Sequence, residues 1–455
     1  MPSPAKCRIP VLAASLAATL LAAVATMAAA PATGAASAPA SAPGVDQKGP
    51  TILETYKNLF LIGTAGDIPG NYSAQELQLI KDNFNIITPE NCMKPQPTHP
   101  QENQWNFNQP DALVKWCNDN KVAVWGHCLV WHSQTANWFF QGGDKATITK
   151  RLEDHIKTLV GRYKGKIRGW DVVNEAINDG GGGGGGRGGA AAGDAAENLR
   201  GSQWLSSLGP DFFAVAFKAA HEADPDARLY YNDYNIENGG KHTASVALLK
   251  RLIKEGLPIA GVGIQGHWST TGVPFAAIDK AIADYAALGL KVSLTELDVT
   301  NNGTSGGQLN PGGGGGGGAM GGGAGRRGGA ASAPASGPAA MNVLDDESLL
   351  FVGAPGGGGG GAMGGGGMGG RGGGGGGMTP AAAKAQADAY AKLFAILIKH
   401  KEAIERVTFW GLNDRRTWRN GQNPLIFDSN NQRKACYVSI VEALLHPDPN
   451  LAAPK

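Results

Sequence analysis

From Phe60 onward the chain alternates short apolar runs with longer stretches in which apolar residues recur every three or four positions. The short runs, rich in β-branched and aromatic residues, read as strands: Phe60–Thr64, Phe84–Glu90, Val122–Trp131, Ile167–Glu175, Arg228–Tyr234, Val262–His267, Lys291–Leu297 and Val407–Leu412. The stretches between and after them have the period of amphipathic helices: Ser73–Phe84, Asp111–Asn120, Ala146–Tyr163, Phe212–Ala223, Thr243–Glu255, Phe275–Ala287, Ala381–His400 and Lys434–Leu445. The first of these opens with Ser73-x-x-Glu76, a capping-box pattern. Parallel strands need helical crossovers, and eight of them close around an interior that side chains can fill. Eight strand–helix repeats therefore predict an α/β fold, a closed (β/α)8 barrel of the TIM type. An open doubly wound sheet would carry a Gly-rich turn after its first strand, and no G-x-G-x-x-G follows Phe60–Thr64.

Two segments break the rhythm. Residues 180–196 follow strand four and residues 303–378 follow strand seven, and both are dominated by Gly and Ala with scattered Met and Arg. Such segments bury too little apolar surface to offset the cost of ordering, so they are expected as disordered loop insertions and not as domains. Their glycines lack a strict period of three, which excludes a collagen-like helix. One apolar island, Asn342–Val352, has the composition to dock on the barrel. Both insertions emerge on the barrel face where active sites are built. Loops tolerate added length cheaply, so decoration of the rim is the plain reading.

Residues 1–30 have the layout of a secretory signal: Lys6 and Arg8, an apolar run from Val11 to Ala25, and small residues at Ala28–Ala30. The apolar core is short for a membrane span. Residues 31–45, rich in Ala, Pro and Ser, read as a flexible linker, which leaves 46–450 for the barrel. The protein is accordingly expected to be secreted or periplasmic, with no membrane partner after cleavage.

The formal charge is only +2, from 40 basic and 38 acidic residues. That balance argues against nucleic acid or an anionic membrane as partner and suits a neutral polysaccharide. Cys92, Cys117, Cys128 and Cys436 form no C-x-x-C pair, so a zinc or redox motif is not indicated, and their spacing assigns no disulfide.

The candidate chemistry lies at two strand ends. Trp170-Asp171-Val172-Val173-Asn174-Glu175-Ala176 and Val292-Ser293-Leu294-Thr295-Glu296-Leu297-Asp298 each bring a glutamate to a strand's carboxyl end, on one rim. Hydrolysis of a glycosidic bond needs one carboxyl to protonate the leaving oxygen and a second to attack or to activate water. A close like charge keeps one of the pair protonated, and ester formation on the other removes that charge and lets its partner ionise. A single strand-end Glu is ordinarily a solvated loop charge. Two at corresponding ends, among aromatic residues, are not so easily dismissed. One difficulty stands: adjacent residues Asn174 and Glu175 would point to opposite faces of a regular strand, so both reach a cleft only if the strand breaks there.

Five stretches in register carry a resemblance. They are Thr88-Pro89-Glu90-Asn91-Cys92-Met93-Lys94, Gly126-His127-Cys128-Leu129-Val130-Trp131-His132-Ser133-Gln134, the Glu175 run, Gly263-Ile264-Gln265-Gly266-His267, and Thr295-Glu296-Leu297-Asp298. Together they resemble glycoside hydrolase family 10, the endo-β-1,4-xylanases, from about Leu53 to Leu445. The resemblance implies a retaining mechanism with Glu175 as acid/base and Glu296 as nucleophile. It implies that Glu90, Asn91 and Lys94 bond xylose units on the non-reducing side, with His127 and Trp131 lining the same subsites. Asn174 would hold the 2-hydroxyl of the sugar under attack. Gln265 and His267 would flank Glu296, with Asp298 fixing the tautomer of His267. Independently, a sugar's flat C–H face and hydroxyl rim suit indole plates with amide, imidazole and carboxylate partners. Trp410 and Trp418 are thus expected over the central subsite and Tyr234 on the leaving-group side. His132 and His155 read as structural or surface groups, and no third ligand joins His127 and His132, so no metal is expected. Nor is a cofactor. The expected substrate is xylan or a xylo-oligosaccharide and the expected state a monomer. A related retaining β-1,4-glycanase and a non-catalytic polysaccharide-binding barrel are the competing readings. Ordinary members have much shorter loops after strands four and seven, which bears on cleft width.

Overall fold

The computed structural model describes residues 45–179, 197–301 and 378–446. The expected leader (1–30), the linker up to its last residue, and the two Gly-rich insertions up to Met378, with the Asn342–Val352 island, lie outside the described residues.

Eight parallel strands form a closed barrel: Leu61–Ala65, Ile86–Thr88, Ala123–Trp131, Gly169–Asn174, Arg228–Asp233, Gly261–Ile264, Lys291–Thr300 and Ile404–Phe409. The sixth pairs with the seventh from Gly261↔Lys291 to Ile264↔Leu294, and the eighth returns to the first from Leu61↔Arg406 to Thr64↔Phe409, which closes the ring. The helices fall where the periodicity puts them: Ala74–Asn83, Asn108–Asp119, Lys145–Arg162, Phe212–Ala223, Gly239–Lys254, Phe275–Ala287, Pro380–Lys399 and Ala435–Leu445. Ser73 caps the first of these as expected. Its Oγ accepts from Glu76 N at 3.2 Å, and the Glu76 carboxylate accepts from Ser73 N at 2.8 Å.

Three boundaries differ from the sequence expectation in ways that matter for the rim. Strand six ends at Ile264 because Gly266 takes a positive φ of 85°, and the chain resumes as a short strand, His267–Ser269, against Asp298–Thr300. Strand seven runs on to Thr300, so Glu296 lies inside it and not at its end. Strand four stops at Asn174, one residue before the glutamate.

The barrel's amino end is plugged by Ile86, Trp125 and Tyr230, with the two rings 4.7 Å apart and nearly perpendicular. Bare backbone makes room for them: a Cβ at Gly261 would fall 2.3 Å from the Tyr230 ring, and one at Gly169 2.6 Å from Trp125. The buried Arg406 guanidinium stacks 4.2 Å over Trp125.

Candidate active site

Glu175 resolves the difficulty posed by its neighbour. It has φ +56°, a left-handed conformation that turns its side chain back toward the same cleft as Asn174. The buried carboxylate meets polar side chains on both oxygens. Trp131 Nε1 donates to Oε2 at 2.9 Å, Gln265 Nε2 donates to Oε1 at 2.9 Å, and the Asn174 amide lies 3.3 Å from Oε1. His132 Nδ1 stands 4.0 Å from Oε2. Burial and the nearby Arg200 charge push His132 down to about 4, so it is a neutral imidazole at ordinary pH.

Glu296 is held differently. Its backbone N donates to Gln265 O at 2.8 Å, Oε1 accepts from Asn232 Nδ2 at 2.9 Å, and Oε2 lies 3.3 Å from His267 Nε2. Burial works against its charge, but the hydrogen bond and charge of His267, with His127 and Asn232, outweigh that and hold the carboxyl below its ordinary value. His267 in turn resists burial through Asp298, whose Oδ2 lies 2.9 Å from Nδ1, and through Glu296 itself. Together they raise it to about 9, so an imidazolium sits between two carboxylates. Asp298 Oδ2 also accepts from Trp418 Nε1 at 2.9 Å, and Arg419 Nε lies 2.9 Å from Oδ1.

One amide bridges the two glutamates' surroundings. Asn232 Nδ2 reaches both Glu296 Oε1 and Asn174 Oδ1 at 2.9 Å, while Thr295 Oγ1 donates to its oxygen at 2.6 Å. Gly263 makes this arrangement fit, since a Cβ there would fall 2.3 Å from Asn232 Oδ1.

The remaining expected residues divide into two groups. Lys94 Nζ donates to Asn91 Oδ1 at 3.1 Å and lies 5.0 Å from the Trp131 ring, so these three adjoin one another. Burial, with Asp67 and Glu296, raises the Glu90 carboxyl against the pull of Lys94. His127 Nδ1 pairs with buried Asp171 at 2.9 Å, and the Trp410 ring stands edge-on to it at 5.3 Å. Asp171 also accepts from Trp125 Nε1 at 2.8 Å and lies 3.4 Å from Arg406 Nη2. Trp418 is 39% exposed, with its ring 5.0 Å from that of His267.

Three placements add detail to the sequence expectation. The Gln265 side chain serves Glu175, and only its backbone meets Glu296, because the turn after Ile264 aims it across the barrel. The Tyr234 hydroxyl donates to Asp179 Oδ2 at 2.6 Å and accepts from Arg200 Nη2 at 2.7 Å, and Lys241 Nζ lies 3.5 Å over its ring. Tyr234 is thus already tied into an ionic cluster. His132, read as structural or surface, stands beside Glu175. Asn232 was missed altogether, although an Asn-Asp pair at the end of strand five is the same signal as Asn174-Glu175. Among the described residues, Cys92, Cys117, Cys128 and Cys436 are buried and free.

Two buried carboxylates, one beside an imidazolium and one among neutral donors, with indoles around them on a barrel rim, are the kinds of group that glycoside hydrolysis calls for. The family model for glycosyl hydrolase family 10 matches residues 51–312 and 374–443, and the chain belongs to that family. The chain is 32% identical over 404 residues to a β-1,4-xylanase of Dictyoglomus thermophilum, covering 86% of this chain and 91% of that one. It is 31% identical over 416 residues to endo-1,4-β-xylanase A of Caldicellulosiruptor sp., covering 88% of this chain but about half (49%) of that protein's length. Among solved structures it resembles the intracellular xylanase TsXylA of Thermoanaerobacterium saccharolyticum in complex with xylotriose, at TM-score 0.64 and 29% identity, covering 87% of this chain and 99% of the other.

Proposed function

We propose that this family 10 enzyme is an endo-β-1,4-xylanase that cuts internal bonds of xylan with retention, using Glu296 as nucleophile and Glu175 as acid/base. The observation that carries the reading is the contrast between the two glutamates' partners. The charge on His267 keeps Glu296 an anion, ready to attack the anomeric carbon. The Glu175 carboxyl has only neutral hydrogen-bond partners and can carry a proton toward the glycosidic oxygen.

In the first step the Glu296 oxygen bonds to the anomeric carbon as the bond to the leaving oxygen breaks, and that oxygen takes the proton of Glu175. The resulting ester has lost the Glu296 charge. In the second step Glu175, now ionised, takes a proton from water, whose oxygen attacks the same carbon and expels Glu296. The fixed Trp131, Gln265 and Asn232 groups need no reorganisation between the steps. Glu90, Asn91, Lys94, His127 and Trp131 form the subsites on the non-reducing side, Asn174 binds the 2-hydroxyl, and Trp410 and Trp418 cover the central sugar. Tyr234 borders the leaving-group side with its ring, its hydroxyl being engaged. The leader-like start makes the site of action periplasmic or extracellular.

Proton NMR of early hydrolysis of xylohexaose tests the mechanism: β-anomers should appear first and mutarotate, whereas α-anomers first would overturn retention. Release of reducing ends from xylan should exceed that from carboxymethylcellulose; the reverse order would overturn the substrate assignment.

A further inference from the structure

We propose that Arg200 is a positioning residue that holds Glu175 in its left-handed backbone conformation, an inference that rests on Glu175 being the acid/base. A left-handed conformation costs a residue with a Cβ about 1–2 kcal/mol. The Glu175 carboxylate is turned toward Trp131 and Gln265 and not toward its own backbone. The peptides around it must therefore be held from outside.

Their N–H groups are held by strand five. Glu175 N donates to Asn232 O at 2.9 Å, Ala176 N to the Tyr231 hydroxyl at 3.1 Å, and Ile177 N to Asp233 Oδ2 at 3.3 Å. Their carbonyls are held by one residue. Arg200 Nε donates to Glu175 O at 2.9 Å, its backbone N to Ala176 O at 2.7 Å, and Nη2 to Ile177 O at 3.2 Å. The guanidinium is aimed by the Tyr234 hydroxyl at 2.7 Å and Asp179 Oδ2 at 3.2 Å, and it comes from 25 positions further along the chain. A planar fork can satisfy carbonyls and aim itself at once, which an ammonium cannot.

Without this clasp the Glu175–Ala176 peptide keeps only its N–H bond to the Tyr231 hydroxyl and can tilt, and the carboxyl swings away from the leaving oxygen while Glu296 stays in place. The loss then falls on proton delivery. It should be read on two aryl β-xylobiosides, one with phenol, which leaves only if protonated, and one with 2,4-dinitrophenol, which leaves unaided. Arg200→Ala should lower kcat/KM for the phenyl substrate roughly tenfold or more, and for the dinitrophenyl substrate by less than about threefold. An equal loss on both, or none on either, overturns the proposal. Should that variant fail to fold, Arg200→Lys keeps the charge but not the fork and should show a smaller loss with the same selectivity; an unselective loss again overturns it. Glu175→Ala separates this inference from the reading beneath it. If that variant is selective for the phenyl substrate and the Arg200 variants are not, only the clasp fails. If Glu175→Ala is itself unselective, the acid/base assignment fails and the clasp with it.

Discussion

Strand four stops at Asn174 and leaves Glu175 on a turn of left-handed backbone, whereas strand seven keeps Glu296 inside the strand, where its pairing with strand eight shifts register between Leu294 and Leu297, and runs on to Thr300. The backbone of Glu296 is held by its N–H to Gln265 O within a strand that is paired before and after it. That of Glu175 depends on strand five on one flank and on Arg200 on the other. Their electrostatics differ in the same sense. Glu296 faces an imidazolium and an amide, while Glu175 faces an indole, amides and a neutral imidazole. A nucleophile must stay charged and aligned, which suits a rigid wall and a fixed counter-charge. A group that gains and loses a proton in each cycle is better served by donors without net charge.

Removing the nucleophile tests the comparison most severely. Glu296→Ala should lower kcat on xylan and on any aryl xylobioside by roughly 10⁵-fold or more, because no leaving group substitutes for the attacking oxygen. Activity within tenfold of the parent would break the assignment. Gly263→Ala strikes the link between the two stations. Its Cβ would meet Asn232 Oδ1 at 2.3 Å and Thr295 Cγ2 at 2.5 Å and push the bridging amide off both Asn174 and Glu296. A misplacement of this size should cost roughly tenfold to a hundredfold in kcat/KM, and about 1–3 kcal/mol in stability. Steady-state kinetics and urea unfolding would show whether Asn232 couples the two sides; parent-like values in both would remove it from the account.

The smallest expected effect is the pH dependence of the charged station. His267 is raised to about 9 in the folded protein, against about 6.5 when unfolded. The folded state therefore holds its proton more tightly. The stability this confers is complete below about pH 6.5 and is lost as pH rises through about 9. Melting temperatures of the parent and of His267→Gln, followed from pH 6 to 10, should converge by a few degrees over that window. A constant difference would mean that His267 is not an imidazolium between Glu296 and Asp298.

The one-dimensional pattern was enough to foresee the barrel, because each strand and helix is written in its own local period and the connections are short outside the two insertions. It also singled out both glutamates as candidates, since polar residues late in apolar runs have little place in a core. The pairing of Asp298 with His267 was legible too, through the resemblance to the family.

What the sequence could not assign is which neighbour serves which carboxylate. Gln265 lies just past the end of strand six with its carbonyl on Glu296 N, yet its side-chain amide crosses to Glu175 where the chain turns at Gly266. Asn232, His132 and Arg200 became functional candidates only when strand tilt and the turn at Glu175 brought them within hydrogen-bond distance of residues far away in the chain. Local order along a chain is written in residue period and composition. Contact across a closed barrel is set by register, twist and the few residues that leave regular backbone, and these are settled only when all eight strands are in place.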